Sequence, residues 1–298
     1  MSTPLPGGSL KLADELTLSR MGYGAMQLAG PGVWGPPRDR GQAIAVLREA
    51  VERGITHIDT SDYYGPHVVN ELIREALHPY PKGLHIVTKV GARRAPDKSW
   101  PVALSREELT SAVHDNLEHL GLERLDVVNL RVGGLERPTP GSVAKPFTVL
   151  AELRQQGLIR HLGVSNVSTE QLTEAQSIAP VVCVQNTYNV TDRYDSELVD
   201  RCAREGIAYT PFFPLGGFTP LQSAVLDAVA ARLGASPRQV ALAWLLQRSP
   251  TILLIPGTSS VEHLRENVAA ANLELPLDAV LELDAIGAAT AARGHEAI

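Results

Sequence analysis

Short apolar runs alternate with amphipathic stretches along almost the whole chain, and this alternation restricts the fold more than any other feature. The runs at 19–26, 55–59, 83–90, 124–132, 159–166, 180–189, 207–213 and 251–256 read as strands. Helical periodicity occupies 40–54, 67–77, 105–121, 147–157, 168–179, 195–206, 219–234, 236–248 and 261–272. Local chemistry marks the ends. Ser105 with Glu108 is a capping box, Ser168 opens another helix, and Ser236 is followed by Pro237 at the first helical position. Gly54 and Gly157 are stops. Strands alternating with helices imply a parallel sheet. Eight such units with no linker between them predict an α/β fold, a single (β/α)8 TIM barrel spanning 1–298 as one domain. The barrel proper is expected over about 20–272. The alternating segment 9–19 predicts an N-terminal β-hairpin turning near Ala13-Asp14, and the tail 273–298 an extra C-terminal helix with a frayed end.

Composition narrows the function classes. The 298 residues are 44% hydrophobic and 20% charged with a net charge of −6, the profile of a soluble globular protein and not of a nucleic-acid binder, which needs a basic face. No apolar run reaches the ~18 residues of a membrane span. The N-terminus lacks the pattern of a secretory signal, so Cys183 and Cys202 are expected to be reduced thiols in a cytoplasmic protein. Gly22-Tyr23-Gly24 is followed by Met26 and Gln27, so the glycine fingerprint of a Rossmann dinucleotide site is absent. None of the nine histidines pairs with Cys or Asp at ligand spacing in the sequence, and no metal site is expected.

A barrel of this type does its chemistry at the C-terminal ends of its strands. Those ends carry Asp59, Lys89, Asn129 with Arg131, Ser165 with Asn166, Gln185 with Asn186, Phe212 with Phe213, and Gly257-Thr258-Ser259-Ser260. An Asp and a Lys on adjacent strands can form a buried pair. A tyrosine just beyond Asp59 would then sit beside that lysine, and a cation near a phenol lowers its pKa from ~10 toward the working range of a proton donor. A purely structural ion pair with two rim tyrosines fits the same pattern.

His57-Ile58-Asp59-Thr60-Ser61-Asp62-Tyr63-Tyr64-Gly65, Val87-Thr88-Lys89, Gly163-Val164-Ser165-Asn166, Val184-Gln185 and Ile255-Pro256-Gly257-Thr258-Ser259, ending in Glu266-Asn267, resemble the aldo-keto reductase family in order and spacing over about residues 10–275. The resemblance implies an NAD(P)H-dependent carbonyl reductase without a Rossmann domain. It implies Asp59, Tyr64 and Lys89 as catalytic residues, with Tyr63 displaced by one and pointing elsewhere. It implies Ser165, Asn166 and Gln185 on the nicotinamide carboxamide and Phe212 stacked on the nicotinamide face. Phe213, Leu215 and Gly217 fall in the pyrophosphate loop. Gly257, Thr258, Ser259 and Ser260 precede a helix whose N-terminus can meet a phosphate. Glu266 and Asn267 match adenine contacts, and Gly24 and Met26 join Asp59 in the expected cofactor set. His263 occupies the position that reads the adenosine 2′-phosphate, with Arg265 close by. NADP(H) is the expected cofactor, with NAD(H) left open.

Two departures from the family pattern stand out. Arg131 replaces the usual histidine after Asp126-Val127-Val128-Asn129-Leu130, and an arginine cannot act as a neutral imidazole. It can polarise the carbonyl, lower the Tyr64 pKa or clamp an anionic group. After strand seven, Phe212-Phe213-Pro214 replaces a tyrosine-serine-proline pattern. Val128–Arg131, Pro211–Gly217 and the loop Gly30–Pro37 together look like a bacterial subgroup of the family that includes pyridoxal reductases. The expected substrate is therefore a small-molecule aldehyde, pyridoxal reduced to pyridoxine, with Trp34, Tyr64, His67 and Arg131 in the pocket. Reduction of methylglyoxal or aromatic aldehydes, and a non-catalytic NADP-binding regulatory subunit, remain alternatives. Trp100 and Trp244 are expected to serve packing, and the barrel to be a monomer or weak homo-oligomer.

Overall fold

The computed structural model describes residues 5–13, 16–134, 137–217 and 221–295, with side chains to Gly287. The chain opens with β1 (Ser9–Ala13) and β2 (Leu16–Ser19), an antiparallel hairpin. Asp14, on which the predicted turn partly falls, lies outside the described residues. There follow β3 (Tyr23–Gly24), α1 (Arg40–Glu52), β4 (His57–Asp59), α2 (Val68–Leu77), β5 (His85–Val90), α3 (Arg106–Leu120), β6 (Leu125–Arg131) and α4 (Ala144–Gln155). Then come β7 (Ile159–Ser165), α5 (Thr169–Ile178), β8 (Val181–Gln185), α6 (Ser196–Glu205) and β9 (Ala208–Tyr209). The chain continues with α7 (Ala224–Leu233), α8 (Pro237–Arg248), α9 (Val261–Ala269) and α10 (Leu277–His295).

Strands β3 to β9 form one parallel sheet in sequence order. The predicted eighth strand, 251–256, forms no continuous ladder. It closes the ring through single parallel bridges, Met21 to Leu254, Gly24 to Gly257 and Tyr209 to Ile252. Gly22 donates its N–H to Leu254 at 2.7 Å, and Leu253 donates to Tyr209 at 3.0 Å. Gly24 and Gly257 permit this closure. A Cβ on Gly24 would stand 2.4 Å from the Ile255 carbonyl, and one on Gly257 would stand 2.9 Å from that of Gly24. Prolines 211 and 214 leave strand seven short, because a proline has no N–H for the ladder.

The helix ends follow their local chemistry. Ser105, Ser168 and Ser236 all close capping boxes, each cap worth about 1 kcal/mol. Helix α4 starts three residues earlier than its periodicity predicts. Pro146 sits in its first turn, where its missing N–H has no intrahelical partner to lose. The expected helix start at Thr219 lies outside the described residues, and α7 begins at Ala224 behind the cap of Ser223.

Side chains alternate across each strand. One face packs against the helices through residues such as Ile86, Val128, Leu130, Leu162 and Val164. At the barrel base the hairpin inserts Leu16 and Leu18, fully buried, against Val87, Val127, Cys183, Ala208 and Leu253. Each inserted leucine contributes about 2 kcal/mol. This plug leaves the opposite end of the same inward face to polar residues. Both cysteines are free and buried, and Trp244 is a core residue as expected.

Candidate active site

The inward-facing residues at the strand ends meet. Register pairs Lys89 with Asn129 and Arg131 with Ser165, and Ser165 with Gln185. Lys89 Nζ donates to Asp59 Oδ1 at 2.6 Å and to the Thr60 carbonyl at 2.9 Å, and both side chains of the pair are 5% exposed. Gln185 Nε2 donates to Asp59 Oδ2 at 2.8 Å. The loop after β4 turns back through a bond from the Tyr64 N–H to the Ser61 carbonyl and brings the buried Tyr64 ring 5.2 Å from Lys89 Nζ. Arg131 is 7% exposed. It donates to Ser165 Oγ at 3.1 Å and to the Gly134 carbonyl, and its guanidinium lies 4.7 Å from the centre of the Phe212 ring. Among the described residues no carboxylate neutralises it.

Burial raises the Tyr64 hydroxyl above its ordinary value, the Asp59 charge raises it further, and Arg131 lowers it. Burial pushes the Tyr63 hydroxyl up to about 12 against the pull of Lys89 and Arg131. Tyr63 stands edge-on to Tyr64, ring centres 5.3 Å apart.

Around this centre lie the residues expected to hold the cofactor. Ser165 Oγ donates to the Gln185 carbonyl at 2.8 Å. Asn166 adopts φ 58° and donates its amide to the Val132 and Gly134 carbonyls at 3.0 and 3.2 Å. Gln185 Oε1 is buried and bonded to nothing in the protein. Phe212 and Phe213 meet edge to face at 5.3 Å. Phe213 has φ 56°, and its ring covers Gly217, where a Cβ would come within 2.5 Å of the ring. Leu215 is half-buried against the core, as is Met26 in the turn after Gly24.

The segment Gly257–Ser260 leads into α9. Thr258 Oγ1 accepts from the Ser260 N–H at 3.0 Å, Ser260 Oγ caps the helix at His263, and Ser259 is exposed. His263 is exposed as well. Arg265 is drawn away to Glu49 at 2.7 Å. Glu266 accepts from the Ser236 hydroxyl, so its carboxylate ties α9 to α8. Asn267 is fully buried, and both atoms of its amide lack a partner. Two buried amides with unused capacity, at Gln185 and Asn267, fit a nicotinamide carboxamide at one end and an adenine edge at the other, because a buried polar group needs a partner.

The match extends beyond these residues. The model of the Aldo/keto reductase family fits residues 20–288. The chain belongs to that family. It is thus an oxidoreductase. It is 63% identical over 272 residues to pyridoxine 4-dehydrogenase of Escherichia coli (strain K12), covering 91% of this chain and 95% of that one. Among solved structures, the thermostable aldo-keto reductase Tm1743 in complex with the inhibitor epalrestat superposes with a TM-score of 0.79 at 31% identity, over 94% of this chain and 99% of that one. An aldo/keto reductase from Klebsiella pneumoniae in complex with NADP and acetate shares the fold, with a TM-score of 0.76 at 23% identity over 93% of this chain and 94% of that one.

In this aldo/keto reductase the rim of the site departs from two expectations. Trp100 is 37% exposed and does not serve packing alone. The Arg94 guanidinium lies 3.9 Å from its ring and 5.4 Å from that of Trp34, and Tyr63 meets Trp100 edge-on at 5.6 Å. Arg94 also bonds the Gly32 carbonyl at 2.6 Å, tying its loop to that of Trp34. His67 turns to Asp62, with Nδ1 2.7 Å from Oδ2. His119 Nδ1 reaches the other oxygen of Asp62 at 2.9 Å. The sequence shows no histidine paired with an aspartate at ligand spacing, yet the fold brings two of them onto Asp62. His119 lies 57 residues from Asp62, and only the packing of α2 on α3 brings it there. The spacing of Asp62 and His67 was the one readable sign.

Proposed function

We propose that this chain reduces pyridoxal to pyridoxine with NADPH. The observation that carries the reading is the buried constellation of Asp59, Lys89, Tyr64 and Arg131 at the polar end of the barrel. The identity to a pyridoxine 4-dehydrogenase over nearly the whole chain supports the substrate. NADPH supplies the hydride chemistry when bound, and the unpartnered Gln185 Oε1 and the Asn267 amide are the groups that would hold its two ends.

The residues divide the remaining work. The carbonyl carbon gains a hydride and its oxygen gains a proton, so an alcohol forms and charge balances. Tyr64 gives that proton. Its burial keeps the hydroxyl protonated at neutral pH, and Arg131 stabilises the phenolate left behind. Lys89, locked by Asp59, fixes the ring of Tyr64 from one side. Arg131, charged and buried beside Phe212, suits a substrate whose ring hydroxyl ionises. Trp34, held by Arg94, offers a flat apolar wall to an aromatic ring. His67, engaged by Asp62, contributes less to the pocket than its sequence position implies. NADP(H) is the preferred cofactor, with the exposed His263 at the position expected to meet its 2′-phosphate and Arg265 engaged by Glu49. We take the protein to be a single-domain cytoplasmic monomer or weak homo-oligomer; among the described residues no helix is long and apolar enough to cross a membrane.

The test is NADPH oxidation with pyridoxal, methylglyoxal and 4-nitrobenzaldehyde, with NADH in parallel. Turnover on pyridoxal well above the other two supports the reading. Turnover on the activated aldehyde alone keeps the chemistry and rejects the substrate. NADPH binding without turnover on any rejects both.

A further inference from the structure

A second polar cluster lies outside the constellation, between the loop after β4 and helix α3. Asp62 is 7% exposed, and each of its two oxygens faces the Nδ1 of a different histidine, His67 at 2.7 Å and His119 at 2.9 Å. The two imidazole rings are 4.3 Å apart at their centres. One donor atom from each of the three residues lies within 4.8 Å of the others. The carboxylate is fixed from behind. Asn70 Nδ2 donates to Asp62 Oδ1 at 3.0 Å and to Asn116 Oδ1 at 3.0 Å. Thr60 and Thr88 complete this buried network through hydroxyl donors at 2.8 and 2.6 Å. The other side is open, because His119 lines a surface cavity of about 670 Å³ that it shares with Glu71, Glu75 and Glu118, and with Arg40 and Arg74.

We propose that Asp62, His67 and His119 form a binding site for a divalent transition-metal ion of the zinc class. Two imidazole nitrogens and one carboxylate oxygen, with a fourth position open to water, match the donor set such ions take. The hydrogen-bonded ring of Asn70, Asn116, Thr60 and Thr88 supplies the outer support that orients a ligating carboxylate. Bonds of ~2.0–2.1 Å in a tetrahedron put ligand atoms roughly 3.3 Å apart. From 2.7 and 2.9 Å the two histidine–aspartate contacts need to open by roughly half an ångström, which the half-exposed His67 side chain is free to give. Calcium and magnesium are excluded by chemistry, since they take oxygen donors.

The position gives the site a consequence. His67 follows Tyr64 by three residues, its N–H bonds the Asp62 carbonyl at 2.7 Å, and the Val69 N–H bonds the Tyr64 carbonyl at 3.2 Å. An ion on these three ligands clamps the Tyr64 loop to α3.

The experiment titrates Zn²⁺ and Co²⁺ into the untagged full chain. It is read by calorimetry, by the visible absorption of bound Co²⁺ and by thermal unfolding. One ion per chain is expected, with a tetrahedral-type Co²⁺ spectrum. The Tm is expected to rise by about 5 °C at an ion concentration a hundredfold above Kd. Mg²⁺ and Ca²⁺ leave the Tm unchanged. His119→Ala and, separately, His67→Ala each lower the affinity at least tenfold and abolish the spectrum. Each is partly exposed, so if one variant fails to fold the other carries the comparison. Absence of binding in the micromolar range, or equal binding by wild type and both variants, overturns the proposal.

Discussion

Gln185 reaches across the barrel from β8 to β4 and donates its amide N–H to Asp59 at 2.8 Å, on the carboxylate oxygen that Lys89 leaves free. Asp59 is thereby satisfied from two sides. The same bond aims the Gln185 carbonyl oxygen, which has no partner in the protein, into the site. One buried carboxylate thus orients both the lysine beside Tyr64 and the amide expected to meet the cofactor.

Tyr64→Phe removes the proposed proton donor and little else, since the ring keeps its packing. Turnover is expected to fall by about 10²–10⁴-fold while NADPH affinity stays within about twofold. Steady-state kinetics with a fluorescence titration of NADPH decides this. Unchanged turnover sinks the assignment.

Lys89→Met strands the Asp59 charge in the barrel. A buried pair broken on one side costs about 3–5 kcal/mol, far more than an exposed pair. Urea unfolding should show that loss, and the double variant Asp59→Asn with Lys89→Met should recover at least half of it. No recovery would mean that the lysine stabilises through packing and not through charge.

Asn267→Leu replaces an amide that bonds nothing in the protein with an apolar side chain of similar size. Stability is expected to hold or rise, whereas NADPH binds about tenfold more weakly, the worth of one or two lost hydrogen bonds. Equal NADPH affinity in the variant would remove Asn267 from the cofactor site.

Arg131→Met takes away a charge that lowers the Tyr64 hydroxyl. The kcat for the aldehyde should drop more than tenfold, with a smaller change in cofactor affinity. If KM rises and kcat holds, the arginine binds substrate without assisting the proton transfer.

His57 is buried beneath the site, and burial together with the nearby His85 lowers its pKa to about 4. The unfolded chain titrates it near ~6.5. Between these values the unfolded state binds a proton that the native state refuses, so stability rises with pH across the window. The contribution is complete above pH ~6.5, fades as the pH falls toward 4, and amounts to about 3 kcal/mol. Unfolding free energies measured from pH 7 to pH 4 should show this slope, and His57→Leu should flatten it. A variant with the parental slope would assign the effect to other groups.

Much of this protein was legible without coordinates. The alternation of periods 2 and 3.6, the serine caps and the strand-end positions of Asp59, Lys89, Arg131, Ser165 and Gln185 follow from short-range pattern, and short-range pattern is what a linear sequence displays. Boundaries slipped where a local signal has two meanings, as at Pro146, which can end a helix or sit in its first turn. Tertiary structure alone decided the rest. The double hold of Asp59 and the Thr60 carbonyl on Lys89, and the approach of Arg131 to Phe212, appear only in the folded barrel. The clasp of Arg94 on Trp34 and Trp100, and the meeting of His119 with Asp62, join loops and helices far apart in sequence. Charge balance and long-range contact depend on three-dimensional distance and burial, and these exist only once the barrel has closed.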